Sequence, residues 1–160
     1  MDFSDEDINY IFENEFHVNF SELKPIIPNW DKKISKILSL FKNNSMTYYI
    51  NITELFHDIY EKKIYVVENS TKYQWSIFIK DKWKPISKRC MSILIMKIAC
   101  HFCNYHIGLY RQLLEQGKHI LSLEKSIEIL EQLCIQFQGK SQGDYSRYKV
   151  MEIYESKYSN

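Results

Sequence analysis

Four potential metal ligands lie close together in the sequence, at Cys100, His101, Cys103 and His106. Thiolate sulfur and imidazole nitrogen are the donors that Zn²⁺ prefers, and a structural zinc site needs four of them in a tetrahedron. All four residues fall within one apolar run with helical periodicity, where a buried cysteine acts as a small hydrophobic side chain. The spacing favours core packing over a zinc site, and we expect the chain to bind no metal and no other cofactor.

Two other sets of residues have the types that catalysis uses. His57 lies beside Asp58, but no serine or cysteine near them has the local sequence of an activated nucleophile. The string QGKSQG (138–143) lacks the earlier glycine of a phosphate-binding loop and does not follow a hydrophobic strand. No pair of acidic residues suggests a primase active site. The sequence therefore predicts no catalytic residues, and we expect the protein not to be an enzyme.

A basic stretch around a tryptophan says more about partners. The residues that we predict to contact nucleic acid are Lys80, Lys82, Trp83, Lys84, Lys88 and Arg89. Lysine and arginine neutralise phosphates without reading the base sequence, and an exposed tryptophan stacks on unpaired bases. Such binding is expected to be weak, non-specific and steeply salt-dependent. Two plainer interpretations stay open: the lysines form a solvated edge that discourages strand pairing, and a hairpin tryptophan, Trp75 above all, covers the adjoining helix.

Charge is distributed unevenly along a chain whose net charge is +1. Residues 1–20 contain six carboxylates and no lysine or arginine, whereas residues 62–89 carry a net charge of +6. The distribution of charge along a chain is more informative about its binding partners than its net charge is. We expect the acidic segment to oppose nucleic-acid binding and to occupy the basic surface when nucleic acid is absent.

The bulk composition is that of one compact intracellular domain. Hydrophobic residues make up 45% of the 160 residues and aromatic residues 15%, which is enough for a hydrophobic core. The acidic N-terminus does not resemble a signal peptide, and the longest apolar run (91–100) is too short to cross a bilayer. We expect a soluble protein with no membrane partner, in which the four cysteines are reduced.

Periodicity and capping residues predict an α+β fold, mostly helical with a small three-stranded antiparallel sheet, plus an N-terminal helical arm. Helices are predicted to start at the capping residues Ser4, Asp31, Asn51, Ser87, Ser122 and Asp144, and strands to cover 64–67, 73–79 and 82–86. Residues 17–29 are predicted to be irregular because they contain two prolines. The loop KNNS (42–45) divides the arm, 1–44, from the main domain, 45–160.

One stretch resembles a known family. The helix ITELFHDIY (52–60), the strand IYVV (64–67) and the hairpin WSIFIKDKW (75–83) follow one another as in the region that precedes the superfamily 3 helicase of viral and phage primase–helicases, including those of poxviruses and other large DNA viruses. Ser76 stands where that family commonly has tyrosine. The segment KVMEIYESKYS (149–159) is similar to a later helix of the family. The resemblance covers roughly 45–160 and leaves out the arm.

This resemblance implies a non-catalytic accessory domain of a viral DNA-replication primase–helicase. Such a domain would link or position the helicase, contact DNA without sequence specificity, or help protomers assemble. Its partners would be DNA and a superfamily 3 helicase domain or other replication proteins, in the host cytoplasm or at a viral replication site. The alternative is a stand-alone viral protein–protein interaction module, which binds a protein through its aromatic surface and binds no nucleic acid. A small enzyme of unknown type is a third interpretation.

Overall fold

The computed structural model describes residues 2–117, 121–139 and 142–160, and it confirms the predicted α+β class. Within these residues, helices carry most of the chain and three strands form one antiparallel sheet. The helices are α1 (Asp5–Ile11), α2 (Phe20–Leu23), α3 (Trp30–Lys42), α4 (Tyr48–Tyr60), α5 (Lys88–Glu115), α6 (Leu121–Gln138) and α7 (Gln142–Tyr158). The strands are β1 (Ile64–Asn69), β2 (Lys72–Ile79) and β3 (Lys82–Ile86), and a π-helical turn, Phe12–Phe16, continues α1.

The first helix begins as the sequence predicts. The Ser4 hydroxyl accepts a hydrogen bond from the Asp7 N–H, and the Asp7 carboxylate accepts one from the Ser4 N–H. These reciprocal bonds form a capping box and satisfy two backbone donors that a helix start leaves free. The apolar side chains of this helix and of the π-helical turn after it are buried: Ile8, Ile11, Phe12 and Phe16.

Between residues 17 and 60, one helix is not among the predicted ones and two helix starts differ from the predicted positions by a few residues. The region predicted to be irregular contains α2, which is capped by the side chain of Asn19. Helix α3 begins at Trp30 rather than beyond Asp31, after Asn29 adopts the left-handed conformation that asparagine tolerates. Helix α4 begins at Tyr48, ahead of the predicted cap at Asn51. Buried aromatic side chains explain the last two shifts, because Trp30 and Tyr48 are anchored in the core.

The three-stranded sheet has order β1-β2-β3, with a tight turn between β2 and β3. Lys80 and Asp81 form this turn with φ of 49° and 64°, which is the backbone of a type I′ hairpin. The predicted alternation along β2 is confirmed: Trp75, Ile77 and Ile79 are buried. The opposite face of the sheet is open to solvent at several positions, among them Tyr65 and Trp83.

The longest helix, α5, lies at the centre of the fold and packs along α6. Its cap at Ser87 is as predicted, with the hydroxyl accepting the Cys90 N–H, and Gly117 follows its end with φ of 80°. Helix α6 begins close to the predicted start, at Leu121 instead of Ser122. Helix α7 begins at Gln142, two residues before the predicted Asp144.

Among the described residues, α5 is the one helix long and apolar enough to pass a length-and-composition test for a membrane span. Half of its most apolar window is buried inside the protein. Its buried side chains include Met91, Leu94 and Cys103, which belong to the hydrophobic core. The apolar character of α5 is therefore accounted for by its place in the core.

The N-terminal arm packs into the same core as the rest of the chain. Phe16, Phe20 and Trp30 are buried together with the core residues of the sheet and of α5. The Tyr60 hydroxyl donates to the Phe16 carbonyl over 2.8 Å, which ties α4 to the arm. This docking brings the acidic residues at the start of the chain against the β2–β3 hairpin.

Candidate nucleic-acid interface

The six residues predicted to contact nucleic acid lie in one region, but they divide between the two faces of the sheet. Directly paired residues of neighbouring strands point to the same face, and successive residues of one strand point to opposite faces. Lys84 pairs with the buried Ile77, and Lys82 pairs with the buried Ile79. Both lysines therefore point toward the helical side, although they are exposed because β3 is the edge strand.

Trp83 points the other way and joins an aromatic cluster on the open face. Its ring centroid lies 5.3 Å from that of Phe78 on β2 and 5.8 Å from that of Tyr65 on β1. Trp83 is 48% exposed and Tyr65 is 42% exposed, whereas Phe78 is half-buried between the strands. We call Tyr65, Phe78 and Trp83 the aromatic platform.

The remaining positions of the open face carry almost no charge. Alternation and register place on this face the side chains of Val67, Asn69, Lys72, Gln74, Ser76 and Pro85 together with the platform. All of these positions belong to the described part of the chain, and none is a carboxylate, while one is a lysine. The open face is therefore aromatic, weakly polar and free of the negative charge that would repel a phosphate.

Acidic residues of the arm lie beside the turn of the hairpin. The Glu15 carboxylate accepts the Lys80 backbone N–H over 3.2 Å and pairs with Lys63 over 3.0 Å. The Lys80 ammonium lies 5.3 Å from the centre of the Tyr10 ring. Hydrogen bonds from Lys63 and from the Lys80 N–H lower the pKa of Glu15. The arm thus contacts the hairpin turn through a hydrogen bond to the backbone of Lys80 and through the charged side chain of the same residue.

The start of α5 is occupied by a carboxylate of the chain itself. Asp2 accepts hydrogen bonds from the hydroxyl and the backbone N–H of Ser87 and from the Cys90 thiol. The bond from the Ser87 hydroxyl is the main reason that the pKa of Asp2 is lowered to about 2. A helix N-terminus attracts negative charge and would favour a phosphate at this point. In the structure Asp2 takes that place, and Arg89 nearby lies 3.9 Å from Asp5.

Lys88 is engaged in a separate contact. Its ammonium lies 3.0 Å from Oε2 of Glu155, a residue of α7 that is only 5% exposed. The same carboxylate oxygen accepts the indole N–H of Trp75 over 2.9 Å. Trp75 is 1% exposed and its ring lies 5.2 Å from that of Tyr154, so it covers α7 as its position in the hairpin predicted. Lys82 and Lys84 are both exposed, and no ion pair of either is found within the described residues.

The potential metal ligands of α5 point in different directions. The His101 Nε2 hydrogen-bonds with the Val18 carbonyl over 2.8 Å, and its ring stacks on that of His17. Cys103 is buried in the core, and the neighbouring Cys134 thiol, together with burial, raises the pKa of Cys100. Within residues 2–117, 121–139 and 142–160, no three potential ligands converge. The expectation that the chain binds no metal stays a prediction.

His106 has an unusual environment among these histidines. Its Nδ1–H donates to the Phe102 carbonyl over 2.9 Å, while Nε2 is buried with no hydrogen-bond partner among the described residues. The ring stacks on Trp30 at 5.8 Å and contacts Phe102 at 4.4 Å. Burial lowers the pKa of His106 to about 4, so this histidine is neutral at physiological pH.

His57 and Asp58 have separate partners in the structure. The His57 ring stacks on Tyr158 with 3.7 Å between centroids, and Asp58 forms an ion pair with Lys33 over 3.0 Å. Two residues of the Gly-Lys-Ser string, Lys140 and Ser141, lie outside the described residues.

Sequence reasoning missed two members of the platform. Trp83 is among the residues predicted to contact nucleic acid, whereas Phe78 and Tyr65 are not. The alternation along β2 could have indicated this cluster, because it places the large aromatic Phe78 on an otherwise polar face. A large apolar residue on such a face indicates a contact with another side chain or with a ligand. Pairing the strands in register would have brought all three rings together.

Comparison of the chain with protein-family models, with curated proteins and with solved structures gave no significant match.

Proposed function

We propose that this chain is a non-catalytic accessory domain of a viral DNA-replication primase–helicase, and that it contacts DNA without sequence specificity. The resemblance of residues 45–160 to the region before a superfamily 3 helicase supports the assignment to a primase–helicase. The observation that carries the DNA contact is the exposed edge strand β3, where Lys82 and Lys84 flank Trp83 beside an open face that lacks carboxylates. Lysines on such an edge neutralise phosphates and release counterions.

The charge of this edge sets how the contact behaves. Each phosphate contact with single-stranded nucleic acid contributes about 0.7 to the slope of log affinity against log salt concentration, and about 0.9 with duplex DNA. Binding through a handful of lysines is therefore weak at physiological salt and strong only at low salt. The contacts go to the phosphate backbone, so sequence changes have little effect.

The test is a binding titration of a fluorescent oligonucleotide at two salt concentrations. The variant Lys82→Glu/Lys84→Glu is expected to weaken binding at low salt and to reduce the salt slope by more than about 1, since two phosphate contacts are lost. Lys88 is left unchanged because it supports the buried Glu155. A matched control, Lys32→Glu/Lys36→Glu, makes the same charge change on the exposed side of α3.

Equal binding by the parent and the Lys82→Glu/Lys84→Glu variant would show that the hairpin is not part of the DNA-binding surface. No binding by the parent at low salt would overturn the nucleic-acid function altogether. The second candidate, a protein–protein interaction module, would then take its place. The exposed rings of Tyr65 and Trp83 favour that candidate, because aromatic residues on an open surface are common in protein interfaces.

A further inference from the structure

We infer that the open face of the sheet binds single-stranded nucleic acid, with unpaired bases stacked on Tyr65 and Trp83 and phosphates held by the lysines of β3 and of its turn. This inference rests on the proposed function and names the form of nucleic acid that the site takes. It depends on three features: the placement of the rings on the open face, the charge around them, and the accessibility of base faces in single strands as opposed to duplexes.

The first feature is the placement of the rings on three adjacent strands. Tyr65, Phe78 and Trp83 come from β1, β2 and β3, with neighbouring centroids 5.3 and 5.8 Å apart. Phe78 is half-buried under the cluster, while Trp83 and Tyr65 expose about half of their surface. Aromatic side chains on an open antiparallel sheet are a surface on which single-stranded nucleic acids stack their bases. The two exposed rings offer stacking surface for one or two bases.

The second feature is charge complementarity. Lys82 and Lys84 lie on the edge strand on either side of Trp83, with side chains directed to the opposite face. Lys80 lies in the turn beside Asp81, and Lys72 lies on the open face itself. No outward position of these three strands, all of which the structure describes, is acidic. A polyanion gains from the lysines and meets no repulsion on the face, whereas an apolar protein surface would gain nothing from the lysines.

The third feature concerns single strands as opposed to duplexes. In a duplex the bases are stacked on one another and their faces are not accessible, so the rings of the platform gain nothing from it. An unpaired base has a free π-face, and its stacking on an aromatic side chain is worth about 1–3 kcal/mol. The platform therefore adds affinity for single strands only, while the lysines contribute to both forms.

The chain provides its own reporter for this contact. Of its three tryptophans, Trp30 is 4% exposed, Trp75 is 1% exposed and Trp83 is 48% exposed. A base stacked on Trp83 changes the fluorescence of that indole, while the two buried indoles stay out of reach of an oligonucleotide. A change in tryptophan fluorescence on binding is thus a signal from the platform.

The experiment titrates the chain at low salt with an oligothymidylate and with the duplex that it forms with oligoadenylate. The parent is expected to bind the single strand more tightly and to show a saturable change in tryptophan fluorescence with the single strand alone. Trp83→Ala is expected to weaken single-strand binding about 5- to 160-fold, the loss of about 1–3 kcal/mol, and duplex binding less than about twofold. Trp83→Phe, which keeps a stacking ring, retains most of the affinity.

Matched variants separate this inference from the proposed function. Tyr65→Ala should weaken single-strand binding, while Tyr148→Ala, at an exposed tyrosine of α7, should not. If Trp83→Ala binds single strands as the parent does while Lys82→Glu/Lys84→Glu binds weakly, the platform inference is wrong and the DNA contact stands. If the parent binds neither form, both are wrong. Equal affinity of the parent for the two forms without a fluorescence change also overturns the platform, and this result needs no variant to fold.

Discussion

Lys88 and Trp75 meet at one oxygen of Glu155, at 3.0 and 2.9 Å, which joins the start of α5, the sheet and α7. The carboxylate is almost fully buried, so it depends on these two donors. Lys88 and Trp75 are thus tied to Glu155, which lies near the C-terminal end of the chain. The pairing removes Lys88 from the freely available cations and gives it a structural role.

Removing Lys88 should therefore destabilise the fold more than removing its neighbours on β3. We expect Lys88→Ala to lower the free energy of unfolding by about 1–2 kcal/mol, because it takes a charged donor from a buried carboxylate. Lys84→Ala, at an exposed position without such a contact, should change it by less than about 0.5 kcal/mol. Urea unfolding of both variants measures the difference.

A double-mutant cycle checks the origin of that effect. Glu155→Gln keeps an acceptor for the Trp75 indole but removes the charge that Lys88 neutralises. In the Glu155→Gln background, Lys88→Ala should lower the free energy of unfolding less than in the parent, with a coupling energy of about 1 kcal/mol. Additive effects of the two changes would show that the ion pair contributes nothing.

The acidic arm should weaken nucleic-acid binding by lying against the basic hairpin and the start of α5. Asp5 lies 3.9 Å from Arg89, and Lys80 is among the causes that lower the pKa of Asp7, after its hydrogen bonds with Ser4. We expect Asp5→Asn/Asp7→Asn to tighten oligonucleotide binding a few-fold at low salt, because exposed charge pairs are individually weak. The gain should shrink as salt is added.

The matched control for the arm is Glu124→Gln/Glu128→Gln on the exposed side of α6, which removes the same charge elsewhere. An equal gain in both variants would mean that net charge, and not the contact of the arm, sets the affinity. Asp2 is left unchanged because it caps α5.

Stability should depend on pH through His106. Its pKa is about 4 in the folded protein and about 6.5 in the unfolded chain, so between these values the unfolded state binds more protons. The contribution of His106 is therefore fully present above pH 6.5 and declines as the pH falls toward 4, by at most about 1.4 kcal/mol per pH unit. Burial is the main cause, and the orphaned Nε2 offers no compensating bond.

His106→Leu tests this pH dependence. Leucine fills the apolar site formed by Trp30 and Phe102 without a titrating group, and we expect a smaller loss of stability than in the parent between pH 7 and pH 5. The comparison uses denaturant unfolding at both values, so carboxylates common to the two proteins cancel. An unchanged pH profile would assign the dependence to other groups, of which His101, with its pKa also lowered by burial, is the first to examine.

We predict no ATP hydrolysis by this chain, with or without DNA. The sequence lacks the glycine-rich loop that cradles phosphates, and QGKSQG has only its last part. A purified preparation should release phosphate at the rate of a blank. DNA-stimulated turnover that disappears in Lys140→Ala would contradict this, whereas turnover unchanged by that substitution would come from a contaminant.

We also predict no stoichiometric zinc. His101 is bonded to the Val18 carbonyl and His106 lies among aromatic rings, so the ligand types of 100–106 do not face a common point. Elemental analysis of the purified chain should find much less than one zinc per chain. One zinc per chain, with loss of helical signal on chelation, would show that the thiols and imidazoles rearrange around a metal.

Much of the local structure could be predicted because it depends on neighbours in the sequence. The caps at Ser4 and Ser87, the alternation along β2 and the hairpin turn follow from hydrogen bonds and side-chain directions within a few residues. Helix starts were less predictable. Tyr48 extends α4 because it is anchored by buried contacts with distant residues, including Gln136 of α6, and no local pattern records such contacts.

The sequence by itself determined the α+β class, the basic hairpin and the burial of Trp75, since periodicity and residue type suffice for each. Only the tertiary structure decided the rest. It placed Trp83 with Tyr65 and Phe78 on a face that Lys82 and Lys84 do not share, because register across three strands brings together side chains far apart in the sequence. It also placed Asp2 at the start of α5 and Glu155 against Lys88. These contacts depend on how the arm and α7 pack on the sheet and α5, and packing is a property of the whole folded chain.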